Sequence, residues 1–395
     1  MPSTNLPRNA NRSRGRDWAE DVAFDRVRRV HTFRRDRFAR WCGAEIGVVG
    51  AGLLGSRVAI EIVRSGGRVW LCDFDYGSRE NLGNQCVAAG PAKVDSVVAA
   101  CDAIWPGRAE GAVADIRHVG IGVLKRLAAM LDCTDNPDLA LPLTQISNGL
   151  GRPLLRCAVD GSGEHELGRV LCSDGRRGRA CQICPYGLDD LLGRHRRTPC
   201  PGASQAGPAP TLAGGPIGMV IAGAAVLQAQ RLVTGNDRHL VFNREILVDL
   251  DGLQILAIEH RRSDDCLSGH VRWRLDRLGL AEATLADIFS AARQRLGRHE
   301  LAIEPFGHPL SLHASCSCGE GRAAVGSLYT EPPTCGRCGR RMTWREEASL
   351  DRLSEDTAAE LGVLHVPTGE LGLPAHGAMF IARVPDRPPV YLVLD

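Results

Sequence analysis

Gly50-Ala-Gly52-Leu-Leu-Gly55 directly follows the apolar run Ile46-Gly-Val-Val and leads into an amphipathic stretch, Ser56 to Arg64. In that context glycines let the main chain approach phosphate, and the helix start adds aligned N–H donors. Asp73 closes the next apolar run, Arg68-Val-Trp-Leu-Cys72, where a carboxylate can accept ribose hydroxyls. These features alone suit a NAD-dependent oxidoreductase as well as an ATP enzyme. The residues beyond separate the two. Asp73-Phe-Asp75, Asn81-Leu-Gly-Asn84-Gln85, Lys93 and Cys133-Thr-Asp135-Asn136 form a polar constellation at strand ends for which a dehydrogenase has no use. Attack of a carboxylate on an α-phosphate does use it. Charge builds on the phosphoryl oxygens and on departing pyrophosphate, which calls for amide donors, a lysine and a carboxylate-held Mg2+.

The cysteines form a second source of chemistry. There are fifteen, many for a reducing compartment, so metal ligands, nucleophiles and core residues come before disulfides. Cys316-Ser-Cys318 and Cys335-Gly-Arg-Cys338 have the layout of a zinc ribbon. Cys181-Gln-Ile-Cys184 offers two more thiolates, and Cys266-Leu-Ser-Gly-His270 supplies the remaining candidates for one site. A water or another residue is the alternative to His270 as fourth ligand. Cys200 stands beside Arg196 and Arg197 in a Pro/Gly/Ala loop, where a thiol gains thiolate character. Its alternatives are a third zinc-associated thiol or an incidental loop residue. Cys42, Cys72, Cys86, Cys101, Cys133, Cys157 and Cys172 read as small core hydrophobes.

The elements that must position these residues alternate. Apolar runs at 46–49, 68–72 and 129–132 are expected strands, and 56–64 and 92–104 expected helices, which predicts a parallel sheet with helices on both faces. Runs at 154–159 and 167–172 continue the sheet, and short strands are expected at 239–242, 254–259 and 389–394. Pro216 marks a helix start for 217–232, and further helices are expected at 285–296 and 351–361. The uncharged window 198–230 is broken by five prolines and is expected to be a loop and a buried helix, with no membrane crossing.

Glycine loop, Asp-x-Asp, Asn-Leu-x-x-Gln, Lys and Cys-Thr-Asp-Asn occur in the order found in ThiF/MoeB-type adenylyltransferases, which are related to ubiquitin-activating enzymes. The sequence resembles that family over about residues 25–270. The resemblance implies an α/β fold: a Rossmann-like adenylation domain with a mixed, mainly parallel sheet, here followed by a small zinc-ribbon module. It implies nucleotide contacts from Gly50, Gly52, Gly55, Asp73, Asp75, Asn81, Asn84, Gln85 and Lys93, and magnesium on Asp135. Cys200 would take the acyl group as a thioester, and an N-terminal arginine (Arg26, Arg28 or Arg29) would reach the partner's ATP in a homodimer. Three departures stand out. Asn84 replaces a usual arginine, Ala140 or Leu141 stands where another is usual, and the loop from Gln85 to Lys93 is short.

The resulting layout is 1–44 as an Arg-rich arm and helix, 45–272 as the adenylation domain, 273–345 as linker helix and ribbon, and 346–395 as a small α+β segment. The expected activity is ATP-dependent adenylation of the C-terminal glycine of a ubiquitin-like, β-grasp carrier. Thioester formation and a conjugating enzyme would follow. The alternatives are sulfur-carrier activation, a peptide-modifying adenylyltransferase, an oxidoreductase, or an inactive scaffold. In 395 residues, 48 Lys and Arg balance 46 Asp and Glu, and aromatics are 5%. Neither a nucleic-acid nor a membrane partner is therefore expected, and the N-terminal residues lack a signal-peptide pattern, which points to the cytoplasm.

Overall fold

The computed structural model describes residues 21–30, 33, 35–161, 165–175, 178–187, 213–236, 240, 244–280, 282–297, 300–374 and 377–395. The chain divides into two compact units. One holds 1–115 and 127–272, and the other holds 116–126 and 273–395.

The first unit is built on an eight-stranded sheet: β1 (Glu45–Val49), β2 (Arg68–Asp73), β3 (Ala109–Val113), β4 (Ala129–Asp132), β5 (Leu154–Asp160), β6 (Leu167–Ser173), β7 (Arg244–Asp249) and β8 (Gln254–Glu259). Their order is β3-β2-β1-β4-β5-β6-β7-β8. The pairs from β3 through β5 are parallel, and the three from β5 to β8 are antiparallel. The sheet is thus mixed and mainly parallel. Central strands read as continuous apolar runs because helices cover them: β1 and β4 are almost wholly buried. Val58 and Ile62 of the helix Leu53–Arg64 pack with Ile217, Ile221 and Ala225 of the helix Gly215–Thr234 in one core. The second helix carries Pro216 in its first turn, as the sequence predicts. It is long and apolar enough to cross a membrane, yet more than half of it is buried in the unit as a core helix.

Four aromatics close one end of this core. Phe24, Phe33, Phe38 and Trp41 are 2% exposed or less, and Phe33 meets Phe38 edge-on at 5.2 Å. Phe24, Phe33, Phe38 and Trp41 thus tie a segment rich in arginine to the core.

The second unit has its own core of Leu285, Ile288, Phe289, Ile303, Phe380 and Leu392. A five-stranded sheet runs Leu353–Ser354, Ala302–Pro305, Met379–Arg383, Val390–Val393, Leu275–Arg277. Residues on both sides of 345 contribute to that core, so the two segments separated at 346 in the sequence share one hydrophobic cluster. The expected helix at 351–361 is the shorter Glu355–Glu360, because Leu353–Ser354 is spent on pairing with Ala302–Ile303. A second sheet pairs Leu310–Ser315 with Gly321–Ser327, Thr343–Trp344 and Ser349–Leu350.

Residues 116–126 belong with this unit. Ile121 N–H donates to Gly377 carbonyl at 2.9 Å, His308 Nε2 lies 2.7 Å from the Arg117 carbonyl, and the Arg117 guanidinium lies 3.8 Å over the Tyr329 ring.

Candidate nucleotide site and two thiol clusters

The glycine loop follows β1 and leads into the helix starting at Leu53. Gly50 has φ +88°, and a Cβ there would lie 3.0 Å from Thr134 Cγ2 and 3.1 Å from the Cys133 carbonyl oxygen. A Cβ on Gly55 would lie 1.7 Å from the Gly50 carbonyl oxygen. The turn is thus packed on itself and on the Cys133-Thr134-Asp135 loop after β4, which only glycine permits.

Asp73, at the end of β2, faces the loop. Its Oδ2 accepts from Ala51 N–H at 2.6 Å and its Oδ1 from Asp75 N–H at 2.8 Å. Burial raises its carboxyl above the ordinary value of 3.8, against the pull of those two amides. Lys93 opens the next helix, Lys93–Asp102, and its Nζ pairs with Asp75 Oδ2 at 2.8 Å. Asn81 Oδ1 accepts from Ser78 N–H at 2.9 Å and so closes the short turn Arg79–Gly83. Gln85 lies over Gly52, and both Gln85 Oε1 and Asn84 Oδ1 are buried with no partner among the described residues. Asp135 is exposed at the mouth of the β4 loop. Gly50, Gly52, Gly55, Asp73, Asp75, Lys93 and Asp135 thus cluster at the carboxyl ends of β1, β2 and β4, where open α/β sheets bind ligands.

Two residues here escape a motif-based reading. Asp132 is fully buried, and its Oδ1 accepts from Thr134 N–H at 3.1 Å and Oγ1 at 2.7 Å, with Arg156 Nε 3.5 Å from Oδ2. Arg57 donates through Nη1 to the Leu53 carbonyl at 2.8 Å and the Asn84 carbonyl at 2.6 Å. For Arg57 the available signal is an arginine two positions past the last motif glycine.

Arg29 is largely exposed and pairs with Asp25 at 2.7 Å. Cys200 lies outside the described residues, as does most of the expected strand at 239–242.

Cys181, Cys184, Cys266 and His270 come together, with all four ligand atoms within 4.8 Å of one another. Cys181 Sγ is 3.5 Å from Cys266 Sγ, and Cys184 Sγ is 3.2 Å from His270 Nε2. His270 holds φ +48°, an uncommon conformation for a side-chain-bearing residue, and that conformation accompanies its place in the cluster. Ser268 Oγ lies 3.3 Å from Cys181 Sγ and 3.2 Å from Cys266 Sγ, and Asn148 Nδ2 donates to it at 3.1 Å. The Cys181 hydrogen bond holds the Cys184 thiol well below its ordinary value, toward the thiolate that a metal needs. In the second unit the four sulfurs of Cys316, Cys318, Cys335 and Cys338 likewise lie within 4.8 Å of one another. A hydrogen bond from the Arg340 guanidinium lowers the Cys338 thiol to about 6. Both donor sets suit tetrahedral zinc. Cys42, Cys72, Cys101, Cys133, Cys157 and Cys172 are buried, and Cys86 is half-buried.

The family model described as the ThiF family matches residues 24–267, more than half of the sequence. The chain belongs to the ThiF family. Members of the ThiF family are ATP-dependent adenylyltransferases, and the glycine loop, Asp73 and Lys93 all lie within the matched span. Among solved structures, E. coli MccB with ATP is 14% identical with a TM-score of 0.50, covering 64% of this chain and 76% of that one. E. coli MccB with succinimide is 15% identical with a TM-score of 0.48, covering 59% and 68%. PaaA is 15% identical with a TM-score of 0.46, covering 58% and 67%. No curated protein matches the chain.

Proposed function

We propose that this ThiF-family chain uses ATP to adenylate the C-terminal carboxylate of a polypeptide. The observation that carries the reading is the convergence of the glycine loop, Asp73 and the Asp75–Lys93 pair at one end of the parallel strands. Asp73 would bind the ribose. Loop amides and Lys93 would hold the triphosphate, with Asp75 fixing the lysine. A carboxylate oxygen of the substrate attacks the α-phosphorus, a C(O)–O–P bond forms, and the bond to the β-phosphate breaks as pyrophosphate leaves with the electron pair. Asp135, an exposed carboxylate on a loop packed against Gly50, fits a magnesium ligand, and the ion would neutralise charge on the triphosphate. The two thiol clusters would hold structural zinc, worth on the order of 10 kcal/mol of folding energy per site.

The substrate in this reading is the C-terminal glycine of a ubiquitin-like carrier, and a short ribosomal peptide is the alternative. Attack of the Cys200 thiolate on the acyl carbon, with AMP leaving, is the proposed second step. A homodimer with Arg29 lent to the partner's nucleotide completes it.

The test is ATP–pyrophosphate exchange by the full chain, with Gly-ended carriers and with peptides, in wild type, Asp135→Ala and Cys200→Ala. Carrier-dependent exchange lost in Asp135→Ala and kept in Cys200→Ala supports adenylation followed by transfer. Exchange with peptides alone replaces the carrier, and no exchange despite ATP binding refutes the activity.

A further inference from the structure

The first turn after the glycine loop carries a guanidinium whose position has a consequence for nucleotide binding. Arg57 is half-buried, and Nη1 donates to the carbonyls of Leu53 and Asn84. No carboxylate meets it among the described residues, and Nε and Nη2 have no partner there. Nη2 instead lies 3.4 Å from the Cβ position of Gly215, at the start of the 20-residue helix Gly215–Thr234. That helix start already meets one carboxylate, because Gly214 N–H donates to Glu166 Oε1 at 3.1 Å, but no ion pair among the described residues joins Arg57 to it, so the guanidinium keeps its charge unneutralised beside the glycine loop. The carbonyl oxygens it touches fix the orientation of its fork without neutralising its charge.

We propose that Arg57 binds the polyphosphate of ATP, at the phosphates remote from the ribose. This deepens the adenylation reading and rests on it. The loop has two ends. Ala51 N–H touches Asp73, which marks the ribose end, and Arg57 stands a turn beyond Leu53, at the other. Asn84, directly beside Arg57, offers its main-chain carbonyl to the guanidinium and has an uncharged side chain, so the cation at this corner comes from the helix. Arg57 thereby binds substrate directly, and its contact favours ATP over AMP.

The experiment titrates full-length wild type, Arg57→Ala, Arg57→Lys and the double variant Arg57→Ala/Asn84→Arg with ATP and with AMP, by calorimetry. Loss of one charge-assisted contact in Arg57→Ala is expected to weaken ATP about 10- to 100-fold while AMP changes by less than about threefold. The lysine variant recovers part of the loss, and Asn84→Arg restores ATP affinity by supplying a guanidinium from the other wall. Equal weakening of ATP and AMP overturns the proposal, because Arg57 would then only brace the Asn84 carbonyl. Unchanged ATP affinity in Arg57→Ala, with wild type binding ATP, overturns it while leaving the adenylation reading intact. Wild type that binds no ATP removes both.

Discussion

Replacing Asp132 with alanine tests whether the β4 loop is held from below. Asp132 has no exposed surface, and its carboxylate holds Thr134 through two bonds, immediately before Asp135. Truncation removes both bonds and leaves Arg156, whose side chain is 11% exposed, facing no carboxylate on this strand. Breaking a buried ion pair from one side costs about 3–5 kcal/mol. The 3.5 Å separation from Arg156 is long, and burial pushes the Asp132 carboxyl up against its partners, so the low end applies. The expected loss is about 3 kcal/mol for Asp132→Ala. It falls to about 1–2 kcal/mol for Asp132→Asn, which keeps the acceptor facing Thr134. Guanidinium unfolding followed by circular dichroism reads the midpoint shift, with an unchanged slope showing that only stability moved. ATP affinity should fall in parallel, because the Thr134–Asp135 segment loses its anchor. An alanine variant within about 0.5 kcal/mol of wild type would refute the reasoning. So would an asparagine variant as damaging as alanine.

Gly55→Ala places a Cβ 1.7 Å from the Gly50 carbonyl oxygen, so the loop must shift. A loss of about 1–3 kcal/mol and of detectable ATP binding is expected, measured by thermal melting and calorimetry. Acid denaturing metal release from the full chain should yield two zinc equivalents, and Cys335→Ser should yield one, counted by atomic absorption. In the helix Leu285–Leu296, Asp287 Oδ2 accepts from Thr284 N–H and Oγ1, which lowers the carboxyl below 3.8. A depressed folded value stabilises above 3.8, and that stability is lost as pH falls through it. Asp287→Asn should cost about 1 kcal/mol at neutral pH, and the gap from wild type should close on acidification in parallel pH-dependent melts.

Much of the first unit was legible because its signals are local. Gly50 to Gly55 states its own turn, Asp73 ends an apolar run, and Pro216 opens the helix that it predicts. The cysteine spacing likewise restricts where a metal can sit, since paired thiols two or three residues apart reach one ion. The strand β7 was missed beside the run at 239–242, and β3 was missed because Ala109-Glu-Gly-Ala-Val carries too little apolar alternation to stand out. The buried aromatics Phe24, Phe33, Phe38 and Trp41 were obscured by the arginines between them, whose long side chains dominate composition without deciding which face is covered.

The sequence by itself determined the glycine loop, the alternation of strand and helix, and which cysteines pair up along the chain. Each depends on residues close together in the chain, where backbone geometry and periodicity leave few choices. Tertiary structure alone decided that His270 closes a cluster begun at Cys181, that residues 116–126 leave the first unit to join Gly377 and His308, and that Arg57 reaches the Asn84 carbonyl. Those pairings join positions 27 to more than 190 residues apart. No local propensity encodes them, because they form only when packing within each unit brings distant segments together.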